Sequence, residues 1–189
     1  MDIFSAFKLW KAKRNLLSYQ LRLATVADLD FVMNEVVDGA KNGHYASTLL
    51  NPEEQKGLYE QLKNVVHYSH MGRISQRGVE YIFAQLWIYG SSKDNQVGFC
   101  LLSEKLPGSV ESEMELYKIG VRKDLRGLGH GRRIAELFVT KMPKTVKLYA
   151  RCYKCSEVMF MLLKEVGFDH VNTTLGGTRE LEKRPYIVS

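Results

Sequence analysis

One short stretch of the chain, residues 121–133, has the residue types and the spacing of a binding site for a charged group. It holds three glycines in five residues, Gly127, Gly129 and Gly131. A glycine costs about 1 kcal/mol relative to alanine inside a helix, so this cluster indicates a backbone that closely approaches another group. Free N–H groups at the start of a helix, the helix dipole and nearby cations together predict a phosphate site. The cations are Arg122, Lys123, Arg126 and Arg132.

The glycine spacing argues against two common nucleotide-binding loops. A dinucleotide fold needs G-x-G-x-x-G after an early strand, with an acidic residue about 20 positions later. Here Gly127-Leu128-Gly129-His130-Gly131 has another spacing and lies two-thirds along the chain. The lysine and the hydroxyl residue of a phosphate-binding P-loop are also missing, since Arg132 and Arg133 follow Gly131. A nucleotide triphosphatase is therefore not expected.

The composition is that of an ordinary globular protein. The 189 residues are 45% hydrophobic and 25% charged, which predicts one domain over residues 1–189. Lys and Arg exceed Asp and Glu by 27 to 21, and this excess favours an anionic ligand, a nucleic acid or an acidic protein partner. Three cysteines, no secretory signal and no membrane-length apolar segment predict a soluble cytoplasmic protein.

The elements that must position the glycine stretch follow from hydrophobic periodicity and capping residues. Thr25 and Asp28 have the spacing of a capping box after a strand at residues 21–23, and Asn51 and Pro52 open a second helix. Turn residues separate the later strands. Those strands are predicted at residues 79–89, 96–103, 113–121, 145–151 and from 167 to about 188, with helices at 129–142 and from a cap at Ser156 to residue 165. The order is mixed α/β rather than strictly alternating.

The first 20 residues are predicted to be a helical extension. Residues 4–18 alternate aromatic and basic side chains, which is a loosely amphipathic helix pattern. Such a helix either packs on the domain or on a second subunit, which leaves a homodimer open, or touches a membrane surface or nucleic acid.

The pattern Arg126-x-x-Gly129-x-Gly131 resembles the R/Q-x-x-G-x-G/A signature of the GNAT superfamily of acetyl-CoA-dependent N-acetyltransferases. Residues 21–29 are similar to the first strand and helix of that family, residues 119–121 to its fourth strand, and Gly167-Phe168 to its closing Gly-Phe. Only residues 1–20 and 40–78 lie outside the likeness. The resemblance implies a mixed, mostly antiparallel GNAT-type sheet with splayed central strands, flanked by helices.

The resemblance also implies how acetyl-CoA is held. Backbone N–H groups from Gly127 through Arg132 would cradle the pyrophosphate, and backbone groups of Ile119 and Val121 would pair with the pantetheine arm. A strand bulge would account for Gly120. Arg122, Lys123 and Arg133 either reach peripheral phosphates or are solvated surface charges. The full set of predicted cofactor-binding residues is Ile119, Gly120, Val121, Arg126, Gly127, Leu128, Gly129, His130, Gly131 and Arg132.

Acetyl transfer to an amine needs a base, a donor to the developing oxyanion and an acid for the leaving thiolate. Glu115 lies 11 residues before Arg126, as does the base glutamate of some GNAT members, and strand alternation places Glu113 and Tyr117 on the same face. A water chain is the alternative base. The oxyanion donor would be a backbone N–H near residues 119–121. Many relatives carry a tyrosine as the acid where this chain has Leu163, so Tyr149 and Tyr153 are the remaining predicted catalytic residues.

The resemblance implies an N-acetyltransferase that uses a primary amine of a protein, a small molecule or aminoacyl-tRNA. Residues 40–78 and 172–182 would select the acceptor. A catalytically silent module that binds acyl-CoA or nucleic acid is the alternative, favoured by the missing tyrosine. No metal site is predicted, because the His67 and His70 pair and the Cys152 and Cys155 pair each lack further ligands.

Overall fold

The computed structural model describes residues 18–75, 78–91, 95–105 and 113–184. The predicted N-terminal helix lies outside these ranges except for Ser18. The strand end expected near residue 188 also lies outside them.

Eight strands and four α-helices form within the described ranges. The strands are β1 (Gln20–Leu23), β2 (His70–Ser75), β3 (Gly78–Gly90), β4 (Gln96–Glu104), β5 (Glu113–Val121), β6 (Lys147–Cys152), β7 (Asp169–Thr173) and β8 (Arg179–Lys183). The helices are α1 (Leu29–Lys41), α2 (Pro52–Tyr68), α3 (His130–Lys141) and α4 (Glu157–Glu165). None of these helices is long and apolar enough to cross a membrane.

The strands form one sheet in the order β1-β3-β4-β5-β6-β8-β7, and β2 pairs with the first half of β3. Every pairing is antiparallel except that of β5 with β6. A parallel pair needs a crossover connection, which α3 provides. The predicted mixed, mostly antiparallel sheet flanked by helices is confirmed.

Helices α1 and α2 cover one face of the sheet. The capping box predicted from Thr25 and Asp28 is present, because the Asp28 carboxylate accepts bonds from the Thr25 N–H at 2.8 Å and the Thr25 hydroxyl at 2.9 Å. The Asn51 side chain accepts the Glu53 N–H at 2.9 Å and so caps α2. The apolar residues beneath these helices form one buried cluster: Leu29, Val32, Val36, Leu58, Leu62, Val65, Met71, Ile82, Ala84, Leu86, Ile88, Phe99 and Leu101.

Helices α3 and α4 cover the opposite face with a second buried cluster. Ile134, Ala135 and Phe138 of α3 and Phe160 and Leu163 of α4 pack there on the strands. Ser156 is the N-terminal cap of α4, as predicted, but its side chain makes no capping hydrogen bond. Its hydroxyl lies 3.1 Å from Nδ1 of His44 instead, so the serine joins α4 to the segment after α1.

Strand β2 is not among the predicted elements. Its sequence, His70-Met71-Gly72-Arg73-Ile74-Ser75, has a glycine and two basic residues in place of a β-branched run. Pairing with β3 from Ser75↔Gly78 to His70↔Phe83 decides its conformation. The final strand region is likewise two strands, β7 and β8, rather than one.

Strand β5, which was compared above with the fourth strand of the GNAT fold, contains a bulge. Lys118 is opposite Leu101 and Leu116 is opposite Leu102, so Tyr117 is the extra residue. The prediction that Gly120 marks the bulge was wrong. Gly120 is regularly paired with Phe99, and a Cβ atom there would lie 2.2 Å from Cε1 of the Phe99 ring. Close packing therefore explains this glycine.

This packing predicts that Gly120→Ala is destabilising. The Phe99 ring is fully buried, so the added methyl group forces a shift in the core, which costs about 1–3 kcal/mol of unfolding free energy. Gly57→Ala is the matched control, since Gly57 lies inside α2 and an added Cβ meets nothing within 4 Å. That control is expected to stabilise by up to about 1 kcal/mol. Urea unfolding measures both, and equal midpoints for the two variants would contradict this account.

Candidate active site

A cleft of about 1070 Å³ opens where β5 and β6 part. The two strands pair only from Glu113↔Lys147 to Leu116↔Ala150. Beyond Leu116 the second edge of β5 has no strand partner among the described residues, and the cleft begins there. Its walls are the end of β5, the glycine loop, the first turn of α3, the start of α4 and the segment after α1.

The glycine loop presents backbone N–H groups to this cleft. Gly127 and Gly129 have φ values of 79° and 88°, which few other residues adopt, and Gly129 is the N-terminal cap of α3. The N–H groups of residues 127–129 have no backbone acceptor in the described part of the chain. Those of residues 130–132 begin a helix and have no partner within it. Up to six donors are therefore grouped at the positive end of a helix dipole.

The four cations that were predicted to contribute to a phosphate site are each paired with a carboxylate. The attraction between paired charges offsets part of the solvation energy that they lose in a folded chain. The pairs are Arg122 with Asp124 at 2.7 Å, Lys123 with Asp38 at 3.5 Å, Arg126 with Glu35 and Asp38 at 2.9 Å each, and Arg132 with Glu165. The anion site of the loop is thus mainly a backbone site.

Arg126 braces the loop against α1 and β5. Besides its two carboxylate partners on α1, its Nε donates to the Val121 carbonyl at 2.9 Å. Burial opposes ionisation of Asp38, but Arg126 and Lys123 outweigh it and lower the Asp38 pKa. Arg126 therefore fixes the position of the loop, and its guanidinium is directed at α1.

The side chain of His130 belongs to the core. Its ring packs edge-on against Tyr19 and Tyr89, with centroids 5.2 and 5.8 Å away. Burial and the nearby Arg122 charge lower the His130 pKa, which favours the neutral ring. Only the backbone of His130 contributes to the loop.

The free edge of β5 also faces the cleft. The Arg122 N–H bonds the Val97 carbonyl of β4 at 2.9 Å, so the alternate residues Ile119 and Val121 direct their backbone groups away from β4. The Ile119 carbonyl accepts the Tyr45 hydroxyl at 2.7 Å, and the Val121 carbonyl accepts Arg126. The two N–H groups on this edge remain for a ligand.

Glu115 stands between the cleft and a second cavity of about 350 Å³. Its carboxylate accepts bonds from Nε and a terminal nitrogen of Arg151 at 2.8 and 3.3 Å, and the residue is only 4% exposed. Glu115, Tyr117 and Arg151 line both cavities. The ion pair of Glu115 and Arg151 is therefore part of the wall that the two cavities share.

The predictions omit Lys118, which the bulge places on the same face as Glu115. Strict alternation assigns Lys118 to the opposite face, but the extra residue at Tyr117 reverses this. Its Nζ lies 4.9 Å from the Tyr45 ring centroid and 4.7 Å from that of Tyr117. Burial lowers the pKa of Lys118 to about 8 although the Glu115 charge raises it. The side chain is half-buried and lines the cleft.

Known structures were compared with this fold, and several acetyltransferases match it closely. An acetyltransferase from Thermus thermophilus is 17% identical with a TM-score of 0.61, and the match covers 87% of this chain and 96% of that one. A PaiA N-acetyltransferase from Thermoplasma acidophilum, solved with coenzyme A, is 14% identical with a TM-score of 0.62 over 88% and 98% of the two chains. A ribosomal-protein-alanine N-acetyltransferase from Brucella melitensis is 19% identical with a TM-score of 0.62 over 87% and 99%. No family model and no curated protein matches the sequence.

The chain has the GNAT acetyltransferase fold. The match covers 87% of this chain, which is more than residues 21–39 and 79–189 contain together. It therefore includes part of residues 40–78, so the prediction that these residues lie outside the GNAT likeness was too narrow. Those residues form all of α2 and all of β2, which complete one side of the sheet.

The predicted tyrosines occupy different environments within this GNAT fold. Tyr153 lines the cleft and is 42% exposed. Tyr149 does not line it; the Lys105 ammonium lies 3.7 Å from its ring centroid. Burial and the neighbouring Glu180 raise the Tyr149 pKa well above its usual range. Leu163 lines the cleft with a side chain that carries no proton to transfer.

The cysteine pair predicted as incidental thiols is split between two environments. Cys152 is buried and Cys155 is exposed, and both are free thiols. Among the described residues, no cluster of three histidine, cysteine or acidic side chains is placed to hold a metal ion.

Proposed function

We propose that this protein transfers the acetyl group of acetyl-CoA to a primary amine. The observation that carries the proposal is the combination of parted strands with unpaired backbone donors along one wall of the cleft. A long, narrow substrate with a phosphate group at one end fits this arrangement. The structures similar to the chain include N-acetyltransferases, one of them solved with coenzyme A.

The residues that would hold acetyl-CoA act mainly through their backbone. N–H groups of Gly127, Leu128, Gly129, His130, Gly131 and Arg132 would bind the pyrophosphate oxygens. The N–H groups of Ile119 and Val121, on either side of Gly120, would bind the pantetheine arm. Arg126 would keep the loop in place without contacting the substrate, because its guanidinium is already bound to α1.

The amine would approach from the second cavity and meet the thioester beside Glu115. The Glu115 carboxylate, which is paired with Arg151, would attract the amine and accept a proton from it, directly or through a water molecule. The Ile119 N–H, the cleft-facing donor nearer in sequence to Glu115, would also stabilise the negative charge that develops on the carbonyl oxygen. The product is an acetylated amine and free coenzyme A.

The competing function is a silent module that binds acyl-CoA or nucleic acid without catalysis. The apolar side chain of Leu163, which lines the cleft, favours it. Amine-dependent release of CoA separates the two functions. A panel of spermidine, an aminoglycoside, peptides with free N-termini or lysines, and aminoacyl-tRNA covers the proposed acceptors. Acetyl-CoA binding without release for any acceptor would support the silent module.

The role of Glu115 is tested with Glu115→Gln, which keeps the shape and removes the charge. We expect kcat to fall roughly 100-fold, as for loss of a general base, with acetyl-CoA affinity unchanged. Glu113→Gln is the matched control, because Glu113 lies two residues away on β5, pairs with Lys147 at 3.2 Å and lines neither cavity. Tyr149→Phe is also expected to keep its activity, because Tyr149 lines neither cavity. Full activity of Glu115→Gln would refute the assignment.

A further inference from the structure

We propose that Lys118 is the proton donor to the leaving thiolate, an inference that rests on the acetyl transfer proposed above. The reaction needs such a donor, and the residue that aligns with the usual tyrosine is Leu163. Lys118 lines the cleft two residues beyond Leu116, where the pairing of β5 with β6 ends.

The position of Lys118 follows from the bulge in β5. Lys118 directly precedes Ile119, the first residue whose N–H faces the cleft, and it lies on the face that carries Glu115. An acyl group bound along this edge therefore has the ammonium group of Lys118 on one side and the carboxylate of Glu115 nearby.

The surroundings of Lys118 favour proton transfer over a fixed ion pair. Its ammonium group makes no hydrogen bond or salt bridge with any residue in the described ranges. Two aromatic rings hold it, Tyr45 from the segment after α1 and Tyr117 from β5. The charged groups that face it are Glu115 of β5 and Arg151 of β6, which bind each other.

The titration of Lys118 matches that of a thiol. Its pKa of about 8 is close to the ordinary value of about 8.5 for a cysteine thiol. Proton transfer between groups of similar pKa has little thermodynamic cost in either direction. Burial raises the pKa of the Tyr45 and Tyr117 hydroxyls, which makes both neighbours weaker acids than Lys118.

The proposed step is balanced in atoms and charge. The nitrogen of the neutral amine bonds to the carbonyl carbon as the π electron pair of the carbonyl moves to oxygen, and Glu115 takes a proton from that nitrogen. The carbon–sulfur bond then breaks with its electron pair on sulfur, the C=O double bond re-forms as the thiolate leaves, and sulfur takes a proton from Nζ of Lys118. Neutral Lys118 recovers a proton from Glu115 through solvent, so the site regains its original charges.

The experiment compares Lys118→Met and Lys118→Arg with the unmodified protein. CoA release is followed from pH 6 to pH 10 with an amine that the acceptor panel identifies. Acetyl-CoA affinity is measured by calorimetry, and the melting temperature of each variant is recorded. Lys141→Met is the matched control, since Lys141 also lies over an aromatic ring, 4.6 Å from the Trp87 centroid, but does not line the cleft.

We expect the kcat of the unmodified protein to fall above about pH 8, where Lys118 loses its proton. Both Lys118 variants should lose roughly 100-fold in kcat and lack this decline, with affinity and melting temperature retained. Arginine keeps the charge but does not release a proton in this range, so recovery of activity in Lys118→Arg would show an electrostatic role and overturn the proposal.

Two other outcomes would also overturn the inference. One is unchanged kcat and pH dependence in Lys118→Met. The other is loss of the high-pH decline in Tyr153→Phe, which would identify Tyr153 as the donor. If the unmodified protein releases no CoA with any amine, the proposed function itself fails. An active protein whose kcat does not depend on Lys118 would instead overturn only the inference about Lys118.

Discussion

Gly131→Trp is expected to weaken acetyl-CoA binding roughly 1,000-fold while the chain still folds. A Cβ atom at Gly131 would point toward Leu162, Met159 and Val121 at 3.6–3.9 Å, all of which line the cleft. An indole there occupies the space beside the loop donors. Loss of two charge-assisted hydrogen bonds of about 2 kcal/mol each corresponds to this factor.

The control for this prediction is Gly131→Ala. The distances of 3.6–3.9 Å are ordinary van der Waals contacts, and Gly131 is not among the residues with positive φ. Alanine should therefore fold normally and bind acetyl-CoA within a few-fold of the unmodified protein. Calorimetric titration gives both affinities, and circular dichroism verifies folding. Near-normal affinity in a folded Gly131→Trp protein would mean that the pyrophosphate lies elsewhere.

Elements governed by local sequence were predictable. The capping box at Thr25 and Asp28 and the Asn51-Pro52 start of α2 satisfy backbone groups within a few residues, so their signals are complete in the sequence. The glycine loop belongs to the same class, because Gly127 and Gly129 adopt backbone angles that favour glycine.

Features decided by distant contacts were not predictable from local pattern. Strand β2 depends on pairing with β3, and the reason for Gly120 is the ring of Phe99 on the neighbouring strand. Lys118 was missed for a related reason. One bulge residue inverts the alternation that assigns faces, and bulge positions depend on the register with β4.

The pairing of the loop cations was also not predictable from local pattern, because it too depends on distant contacts. Asp38 is far in sequence from Lys123 and Arg126 but meets both where α1 passes the glycine loop. Counting positive residues near the loop predicts a free cationic site, whereas the carboxylates of α1 neutralise much of that charge. The affinity proposed for acetyl-CoA therefore depends on backbone donors more than on side-chain charge.

Asp28→Asn is expected to lower the free energy of unfolding by about 3 kcal/mol at pH 7, as when one partner of a buried ion pair is removed. Asp28 is 1% exposed and joins three parts of the fold. Its carboxylate accepts two bonds from Arg22 of β1 at 2.7 and 2.8 Å, one from Gln96 of β4 at 2.5 Å, and those from Thr25. The neutral amide cannot replace this set.

The pH dependence identifies the charge as the cause. Burial alone would raise the Asp28 pKa, but the bonds from Arg22, Thr25 and Gln96 outweigh it and hold the pKa well below its usual range. A depressed pKa contributes stability that is complete above the unfolded value of about 3.9 and is lost as the pH falls toward the folded value. The stability difference between the two proteins should therefore be constant above about pH 5 and shrink below pH 4.

Urea unfolding between pH 2 and pH 7 measures this difference, with Asp30→Asn as the matched control. Asp30 lies two residues later on α1, is exposed, and should change stability by less than about 0.5 kcal/mol. Since asparagine resembles protonated Asp28, the curves of Asp28→Asn and the unmodified protein should converge in acid. Parallel curves over the whole range would show that the loss at pH 7 comes from altered packing, and that the carboxylate charge does not hold β1, α1 and β4 together.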